Sequence, residues 1–320
     1  MIRFHTGKRF LLQPSGGDSY KGACLNNHTH FLKNWFGVSR IWSLTATTVP
    51  VTAGAALAAC DGRFSWPLLT LTLFSGWLLQ LATNLLNTYG DFLSGVDTVE
   101  NRKDMPQLVT GTLQPLPVFR AGVVALILGA AAGIAAAALS DWRLLFFAVA
   151  GVAGAGFYTT GIRYKYTGTA LPIVMVLAGV LMVAASYFAQ TCTVTWQAII
   201  VSLPITCQVG AILHGNDMRD MENDKRAGIL TTSLLLGNRA AAPVFVALHV
   251  VPYLVMGVAV AARLLSAWTL LSFLALPFSF NAIRVCLRGE TPSLEGRSAQ
   301  IHFVFGALLT IGLILARFFG

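Results

Sequence analysis

Charged residues are scarce in this sequence. Asp, Glu, Lys and Arg make up 11% of its 320 residues, whereas hydrophobic residues make up 55% and the mean hydropathy is +0.68. This balance excludes a soluble globular domain and indicates a polytopic membrane protein. The five cysteines show no CxxC spacing and the six histidines show no metal-ligand spacing, so neither type predicts a zinc or redox site. The first 40 residues also lack the apolar core and cleavage site of a signal peptide.

Long hydrophobic runs, in contrast, are abundant. Nine are long enough to cross a bilayer as helices, at 41–60, 66–90, 117–139, 142–160, 170–190, 196–214, 240–262, 266–285 and 299–318. The sequence therefore predicts an all-α polytopic membrane protein with about nine transmembrane helices. Residues 31–42 mix aromatic side chains with Lys33 and Arg40, which is typical of a helix at the membrane interface. We therefore expect a cytoplasmic N-terminal segment with an interfacial helix, residues 1–40, followed by a membrane domain, residues 41–320.

The Lys and Arg residues are distributed unevenly between the predicted loops. If the N-terminus is cytoplasmic, 18 of the 22 lie on the cytoplasmic side, and the positive-inside rule favours this orientation. Most of the basic residues behind the net charge of +9 are topology signals and partners for anionic lipid. We therefore expect a lipid bilayer and no nucleic acid as partner. The compartment stays open between the plasma membrane of a bacterium and the endoplasmic reticulum, Golgi or another endomembrane of a eukaryote.

Two polar patches, 133 residues apart, stand where an apolar run ends on the predicted cytoplasmic side. Each has oxygen-bearing side chains at i, i+3 and i+7: Asn84, Asn87 and Asp91 in the first patch, Asp217, Asp220 and Asp224 in the second. On a helix these positions fall within about 60° of one another. Ionisable groups are costly at membrane depth and indicate functional sites there. Oxygen ligands favour Mg²⁺, and Mg²⁺ bound by few carboxylates commonly binds phosphate oxygens as well. The patches therefore predict a Mg²⁺-diphosphate site.

A diphosphate site beside lipid suits a prenyl diphosphate, which has an apolar tail and a charged head. Breaking its C1–O bond yields an allylic cation, and metal ions and basic side chains stabilise the departing diphosphate. The segment FYTTGIRYKYTG provides a candidate phenol at Tyr158 and two cations, Arg163 and Lys165. Membrane anchoring of these two cations is an equal alternative. Lys103, in the loop after the first patch, is a weaker candidate.

These residues resemble the UbiA superfamily of intramembrane prenyltransferases over about residues 35–320. The resemblance rests on NLLNTYGDFLSGVD (84–97), the tyrosine segment (158–165) and NDMRDMENDKRAG (216–228). The spacing of Asp91 and Asp97 is similar to that in the branch that prenylates naphthalenoid rings in menaquinone synthesis. The local sequences are most similar to the animal members, which make menaquinone-4.

The resemblance implies a nine-helix bundle around a central cavity that opens sideways to lipid. Together with the patches it assigns a catalytic set of Asp91, Asp220, Tyr158, Arg163 and Lys165. The metal set is Asn87, Asp91, Asp97, Asp217, Asp220 and Asp224. The substrate-binding set is Asn84, Arg40, Lys103, Tyr158, Arg163 and Lys165.

The predicted function is Mg²⁺-dependent transfer of a prenyl group through an allylic cation. The donor is a prenyl diphosphate, such as geranylgeranyl diphosphate, and the acceptor is a quinol-type hydroxylated naphthalene ring. Alternative acceptors are homogentisate, hydroxybenzoate or a specialised phenol. Residues 168–171 lack the glutamate of bacterial family members, which leaves open whether the acceptor carries a carboxyl group. A cation-coupled transporter is the alternative of another class, although transporter sites tend to lie near the bilayer midplane rather than at helix ends.

Overall fold

The computed structural model describes residues 23–98 and 107–319. Within these ranges the chain consists of helices and turns, with one isolated β-bridge between Thr167 and Leu230. The α-helices, in chain order, are α1 Ala23–Ser39, α2 Thr45–Cys60, α3 Trp66–Leu93, α4 Pro115–Leu139, α5 Leu144–Phe157, α6 Ala170–Val174, α7 Met182–Thr191, α8 Trp196–Ala227, α9 Thr232–Ala261, α10 Leu276–Leu287 and α11 Leu294–Phe319.

Eight helical stretches of the described chain are long and apolar enough to cross a membrane, by length and composition. They are Phe31–Cys60, Trp66–Leu93, Pro115–Leu139, Ala170–Thr191, Trp196–Ala227, Arg239–Ala261, Ala267–Leu287 and Thr291–Phe319. The remaining apolar helix, α5, has only 14 residues. The predicted all-α membrane fold is confirmed, with eight long spans and one short helix where nine similar spans were expected.

α5 is shorter than predicted because the chain leaves the helix at Tyr158. Gly161 and Arg163 have φ angles of 57° and 56°, a left-handed conformation that cannot continue an α-helix. The Lys165 N–H donates to the Tyr158 carbonyl at 3.0 Å and closes the turn. The chain therefore folds back under the end of α5, and this turn brings Lys165 to α3.

The span Ala170–Thr191 is not a uniform α-helix, because Met175–Leu181 is π-helical and separates α6 from α7. Gly179 in this stretch packs so closely against Thr206 of α8 that a larger residue would overlap it. π-helical turns occur frequently at functional sites. In this chain Leu177 and Ala178 of the stretch line the main cavity.

The main hydrophobic core lies between α2, α7, α8, α9 and α11. Its largest fully buried side chains include Tyr187, Ile205, Met256 and Phe305. Lipid tails are as apolar as these side chains, so helices associate in a bilayer mainly through close packing, which small residues permit. Gly306 of α11 provides such a contact with Val49 of α2, where an added Cβ would overlap the valine.

α1 packs beside α3 and is joined to α2 by a sharp turn. Arg40 has φ 46° and ψ 51°, which breaks the helix, and a short 3-10 turn, Ile41–Leu44, leads into α2. Trp35 and Val38 pack with Leu85 of α3 in one hydrophobic cluster. Other large apolar side chains of α1 are exposed, namely Phe31, Leu32 and Phe36. This pattern agrees with the interfacial helix, while the division into residues 1–40 and 41–320 stays a prediction.

Candidate active site

One cavity of about 280 Å³ brings both polar patches together. Ten of the twelve residues that the sequence assigned to the site line it: Arg40, Asn84, Asn87, Asp91, Asp97, Tyr158, Lys165, Asp217, Asp220 and Asp224. The first patch enters from the C-terminal part of α3 and the second from that of α8. Both patches found in the sequence therefore face one cavity in the described chain.

The helices that contain the two patches end in caps of the same type. Gly95 and Gly228, 133 residues apart like the patches, have φ angles of 71° and 68°, a conformation that favours glycine. Past the first glycine, the Val96 N–H donates to the Asp91 carbonyl at 3.0 Å, and past the second, the Ile229 N–H donates to the Asp224 carbonyl at 3.0 Å. The sequence repeat is thus also a structural repeat, and it ends both helices at the cavity.

Lys165 is bound to the first patch. Its Nζ donates to Asn87 Oδ1 at 2.8 Å and to the two Asp91 oxygens at 2.8 and 2.7 Å. The Tyr166 hydroxyl donates to Asp91 Oδ1 at 2.8 Å. Burial, together with the Asp91 charge, raises the pKa of Tyr166 well above its ordinary value, which keeps this hydroxyl a donor. The Asp91 carboxylate is therefore bound by one cation and one phenol.

The aromatic residues of the same turn surround the Lys165 ammonium. Its Nζ lies 5.8 Å from the Tyr158 ring centroid and 5.7 Å from that of Tyr166, within the range of cation–π contacts. Tyr164 fixes the turn from below, because its hydroxyl donates to the Gly154 carbonyl of α5 at 2.8 Å. The three tyrosines of this segment thus position the lysine, and one of them, Tyr158, also lines the cavity.

Arg219 is bound to the second patch and was missed by the sequence analysis. Its Nε and Nη2 donate to the two Asp220 oxygens at 2.9 Å each, and Nη2 also donates to Asn216 Oδ1 at 2.7 Å. Its Nη1 forms an ion pair with Glu295 of α11. Arg219 and Glu295 both line the cavity. The arginine stood inside the second motif, but Glu295 lies 76 residues further on, where no local pattern indicates it.

Three other carboxylates of the site are largely buried. Asp217 and Asp224 of α8 are 3% and 6% exposed, and Asp217 Oδ2 has no hydrogen-bond partner among the described residues. Asp97 follows the cap of α3, and burial, reinforced by the negative charge of Asp91, raises its pKa to about 6. Buried carboxylates require compensation, and a cation bound between the patches would supply it.

Asn84 and Arg40 form the wall next to α1. The Asn84 amide donates to the Ser39 carbonyl at 2.8 Å and to Ser43 Oγ at 2.9 Å, and its Oδ1 accepts from Gln80. Asn84 therefore ties α3 to the turn that contains Arg40. The Arg40 Nε is buried without a hydrogen-bond partner among the described residues, which leaves it available for an anion in the cavity.

Among the described residues, Arg163 is the predicted site residue that does not line the cavity. Its side chain is exposed at the tip of the turn between α5 and α6, outside the cavity wall, and its assignment to the site stays a prediction that this position does not support. The physical reason is its left-handed conformation, which turns the chain between Arg163 and Lys165. Lys103 lies outside the described residues, and its assignment stays a prediction.

The arrangement offers oxygen ligands for Mg²⁺ but no finished cage. Carboxylate and amide oxygens converge on one cavity, which is the donor set that Mg²⁺ prefers. Within the described residues, however, no three His, Cys, Asp or Glu side chains lie close enough to hold a metal ion by themselves. Mg²⁺ usually binds one or two carboxylates plus water and substrate phosphates. The site therefore fits a metal whose coordination the substrate completes.

A second, apolar cavity of about 100 Å³ adjoins the first. The two share wall residues, namely Gly76, Leu79, Gly151, Leu177 and Met182. The second cavity continues towards α4 and α7, where Ala136 and Ala185 contribute to its wall. The site thus has a charged chamber between the patches and an apolar annex beside it.

Comparison with known proteins shows which family this chain matches. The model of the UbiA prenyltransferase family matches residues 47–316. The chain is 32% identical to the 1,4-dihydroxy-2-naphthoate octaprenyltransferase of Bacillus subtilis, covering 88% of this chain and 92% of that protein. It is 31% identical to the human UbiA prenyltransferase domain-containing protein 1, covering 87% of this chain and 82% of that protein.

Solved structures share the fold. An apo UbiA homolog from Aeropyrum pernix K1 superposes with a TM-score of 0.64 at 15% identity, covering 83% of this chain and 97% of that chain. A UbiA homolog from Archaeoglobus fulgidus bound to GPP and Mg²⁺ gives a TM-score of 0.55 at 15% identity, covering 86% and 99%. The helical architecture around the cavity is therefore one that solved proteins adopt.

Proposed function

Because this chain belongs to the UbiA prenyltransferase family and is a multi-pass membrane prenyltransferase, we propose that it transfers a prenyl group from a prenyl diphosphate to a hydroxylated naphthalene ring. The observation that carries this proposal is that the two polar patches, Lys165 and Arg219 meet at one cavity. This cavity continues into the apolar annex. A charged chamber joined to an apolar one suits a substrate with a diphosphate head and an isoprenoid tail.

The residues of the charged chamber have separate tasks in this proposal. Mg²⁺, when bound, neutralises charge that develops on the departing diphosphate. Asn87, Asp91 and Asp97 on one side, and Asp217, Asp220 and Asp224 on the other, would hold it. Arg40, Lys165 and Arg219 donate hydrogen bonds to the diphosphate oxygens, which favours cleavage of the C1–O bond.

The hydroxylated acceptor ring then attacks C1 of the allylic cation, and the attacked ring carbon loses its proton to the departed diphosphate or to water, or its carboxyl group as CO₂, which restores the aromatic ring. A ring hydroxyl adjacent or conjugated to the attacked carbon makes that carbon nucleophilic. The mostly apolar wall formed by Leu177, Ala178 and Met182 limits water near the cation, which would otherwise be hydrolysed. Tyr158, which also lines the cavity, orients the diphosphate beside Lys165.

The acceptor is the finer part of the proposal. Its support is the similarity over most of both chains to a 1,4-dihydroxy-2-naphthoate octaprenyltransferase. Homogentisate, hydroxybenzoate and specialised phenols are the competing acceptors. Family membership favours all of these over the cation-coupled transporter that the acidic residues alone allowed. For orientation, we propose that both patches and the N-terminus face the cytoplasm, because 18 of the 22 Lys and Arg residues lie on their side of the predicted topology.

Purified protein in detergent tests the proposal. Prenyl transfer is measured from dimethylallyl, geranyl and geranylgeranyl diphosphates to 1,4-dihydroxy-2-naphthoate, the reduced 2-methyl-1,4-naphthoquinone, homogentisate and 4-hydroxybenzoate, with Mg²⁺ or with EDTA. We expect transfer to a naphthalene acceptor only, and only with Mg²⁺. Asp91→Asn serves as the inactive control. Transfer to a benzene acceptor alone, or turnover that resists EDTA, would overturn the proposal.

A further inference from the structure

Both patches hold a basic side chain at the oxygens assigned to the metal. Lys165 Nζ bonds three oxygens of Asn87 and Asp91 at 2.7 to 2.8 Å. Arg219 clasps both Asp220 oxygens at 2.9 Å. The Lys165–Asp91 pair is 12% and 7% exposed, and the Arg219–Asp220 pair is 17% and 18% exposed. These are shielded ion pairs in the cavity wall, and solvent screens them weakly.

From this geometry we propose that Lys165 and Arg219 occupy the positions at which the metal binds in the two patches. A diphosphate binds both cations and separates them from their carboxylates, and the metal can then bind there. The inference rests on the proposed function and deepens it. In the ligand-free protein one carboxylate of each patch, Asp91 or Asp220, is paired with its own cation. In the loaded protein the same carboxylates bind Mg²⁺ and the same cations bind the diphosphate.

The exchange of a cation for the metal follows from the repulsion between their charges and from their competition for the same carboxylate oxygens. An ammonium and a divalent ion cannot share the Asp91 oxygens, because at a separation of about 4 Å two positive charges repel strongly outside bulk water. A metal arriving alone must therefore displace Lys165 and leave its charge in a partly buried chamber without a partner, which is costly. A diphosphate removes this cost, because it offers several oxygens to the displaced cations. Metal and diphosphate then promote each other's binding to the same extent.

The surroundings of each cation suit a side chain that changes partner. Lys165 has a flexible stem, and the Tyr158 and Tyr166 rings near its ammonium retain favourable contacts when it leaves Asp91. Arg219 is also bonded to Glu295 and Asn216, which keep it at the cavity after Asp220 is released. Glu295 is thus a positioning residue for Arg219 in both states.

Metal binding without any diphosphate tests the exchange. Purified full-length protein is titrated with Mn²⁺ as the Mg²⁺ substitute, and free Mn²⁺ is followed by electron paramagnetic resonance. We expect Lys165→Met and Arg219→Met each to bind Mn²⁺ about tenfold or more tightly than wild type, because a neighbouring positive charge is gone. Arg163→Met is the matched control, since this cation belongs to the same turn but lies outside the cavity wall, and its affinity should equal that of wild type.

Two further measurements show which patch gains Mn²⁺ affinity and whether the same cations bind a diphosphate. Asp91→Asn in the Lys165→Met background should lose the gain in Mn²⁺ affinity, which places the gained site at the first patch. Binding of radiolabelled inorganic pyrophosphate in metal-free buffer should become about tenfold weaker or worse in both single variants. The same substitution thus improves binding of one ligand and impairs binding of the other, which a merely disturbed fold does not produce.

The outcomes are decisive. If wild type binds Mn²⁺ alone as tightly as both variants, the exchange is wrong, even when the wild-type enzyme transfers prenyl groups and the proposed function stands. A gain in one variant only confines the exchange to that patch and overturns it for the other. Should Lys165→Met not fold, Arg219→Met tests the second patch independently. Absence of prenyl transfer with every donor and acceptor, together with the expected Mn²⁺ gains, would instead contradict the proposed function alone.

Discussion

Lys165 and Asp91 form an ion pair in the wall of the main cavity, with Nζ 2.7 Å from Oδ2. The two residues are 74 positions apart in the chain and meet because the turn after α5 folds back towards α3. Tyr166 donates a second hydrogen bond to the same carboxylate. The pair joins the first patch to the tyrosine segment and makes their effects on stability and activity interdependent.

Removing the carboxylate should therefore reduce stability as well as activity. Asp91→Asn leaves the Lys165 ammonium without its counter-charge, which costs on the order of 3 kcal/mol for a buried pair. We expect lost prenyl transfer and a lower thermal unfolding temperature in detergent. The double variant Asp91→Asn, Lys165→Met should recover stability but not turnover, because the cation that lacked a partner is gone while the metal ligand is still missing. An active Asp91→Asn enzyme, or a double variant no more stable than the single one, would contradict this assignment.

Lys165 and Arg163 should differ sharply in their effect on the reaction. Lys165 lines the cavity, whereas Arg163 is exposed at the tip of the turn. Losing a donor to the departing diphosphate commonly lowers kcat by about a hundredfold, and we expect this for Lys165→Met. Arg163→Met should stay within about twofold of wild type, as surface substitutions away from a site usually do. Steady-state kinetics with the prenyl donor measure both, and equal losses in the two variants would show that Arg163 acts in the site after all.

The sequence predicted the patches well because each lies within two turns of one helix. Positions i, i+3 and i+7 fix the direction of a side chain without any tertiary information, so Asn87 and Asp91 could be assigned to one face. Both patches line one cavity, and the metal-binding role of their residues stays a prediction.

The residues outside regular helices could not be assigned from the sequence alone. In the turn after α5 no period fixes side-chain direction, so Arg163 and Lys165 appeared equivalent until the left-handed φ of Arg163 separated them. Glu295 reaches Arg219 only through the packing of α11 against α8, a contact between distant segments. The π-helical stretch beside the cavity and the early end of α5 likewise depend on tertiary contacts and turn geometry, which hydropathy does not report.

The proposed orientation predicts one-sided labelling. Leu93 and Arg226 are exposed at the C-terminal ends of α3 and α8, which contain the two patches, and each can be replaced by a single cysteine in a background without the five native cysteines. Both should react with a membrane-impermeant maleimide from the cytoplasmic side only. Arg63→Cys, in the loop joining α2 to α3, is the matched position at the opposite end and should react from the other side only. Labelling of Leu93→Cys and Arg226→Cys from different sides would contradict a site shared by the two patches.

Filling the apolar annex should shorten the prenyl donor that the enzyme accepts. Ala185 contributes to the wall of the second cavity and is only partly buried, so a larger side chain there projects into free volume. We expect Ala185→Phe to lower kcat/KM for geranylgeranyl diphosphate by about tenfold or more, since apolar pockets discriminate on this scale. Dimethylallyl diphosphate, whose tail ends near the charged chamber, should be affected far less.

A matched substitution separates blocked volume from general damage to the membrane fold. Ala135→Phe adds the same side chain to α4 at an exposed position, one residue from Ala136 of the annex wall. This control should keep the wild-type preference among dimethylallyl, geranyl and geranylgeranyl donors. Because the annex is the only part of the proposed tail path that Ala185→Phe obstructs, a change in donor preference identifies where the tail lies. An equal loss for all three donors in Ala185→Phe would show that the tail leaves the charged chamber by another route.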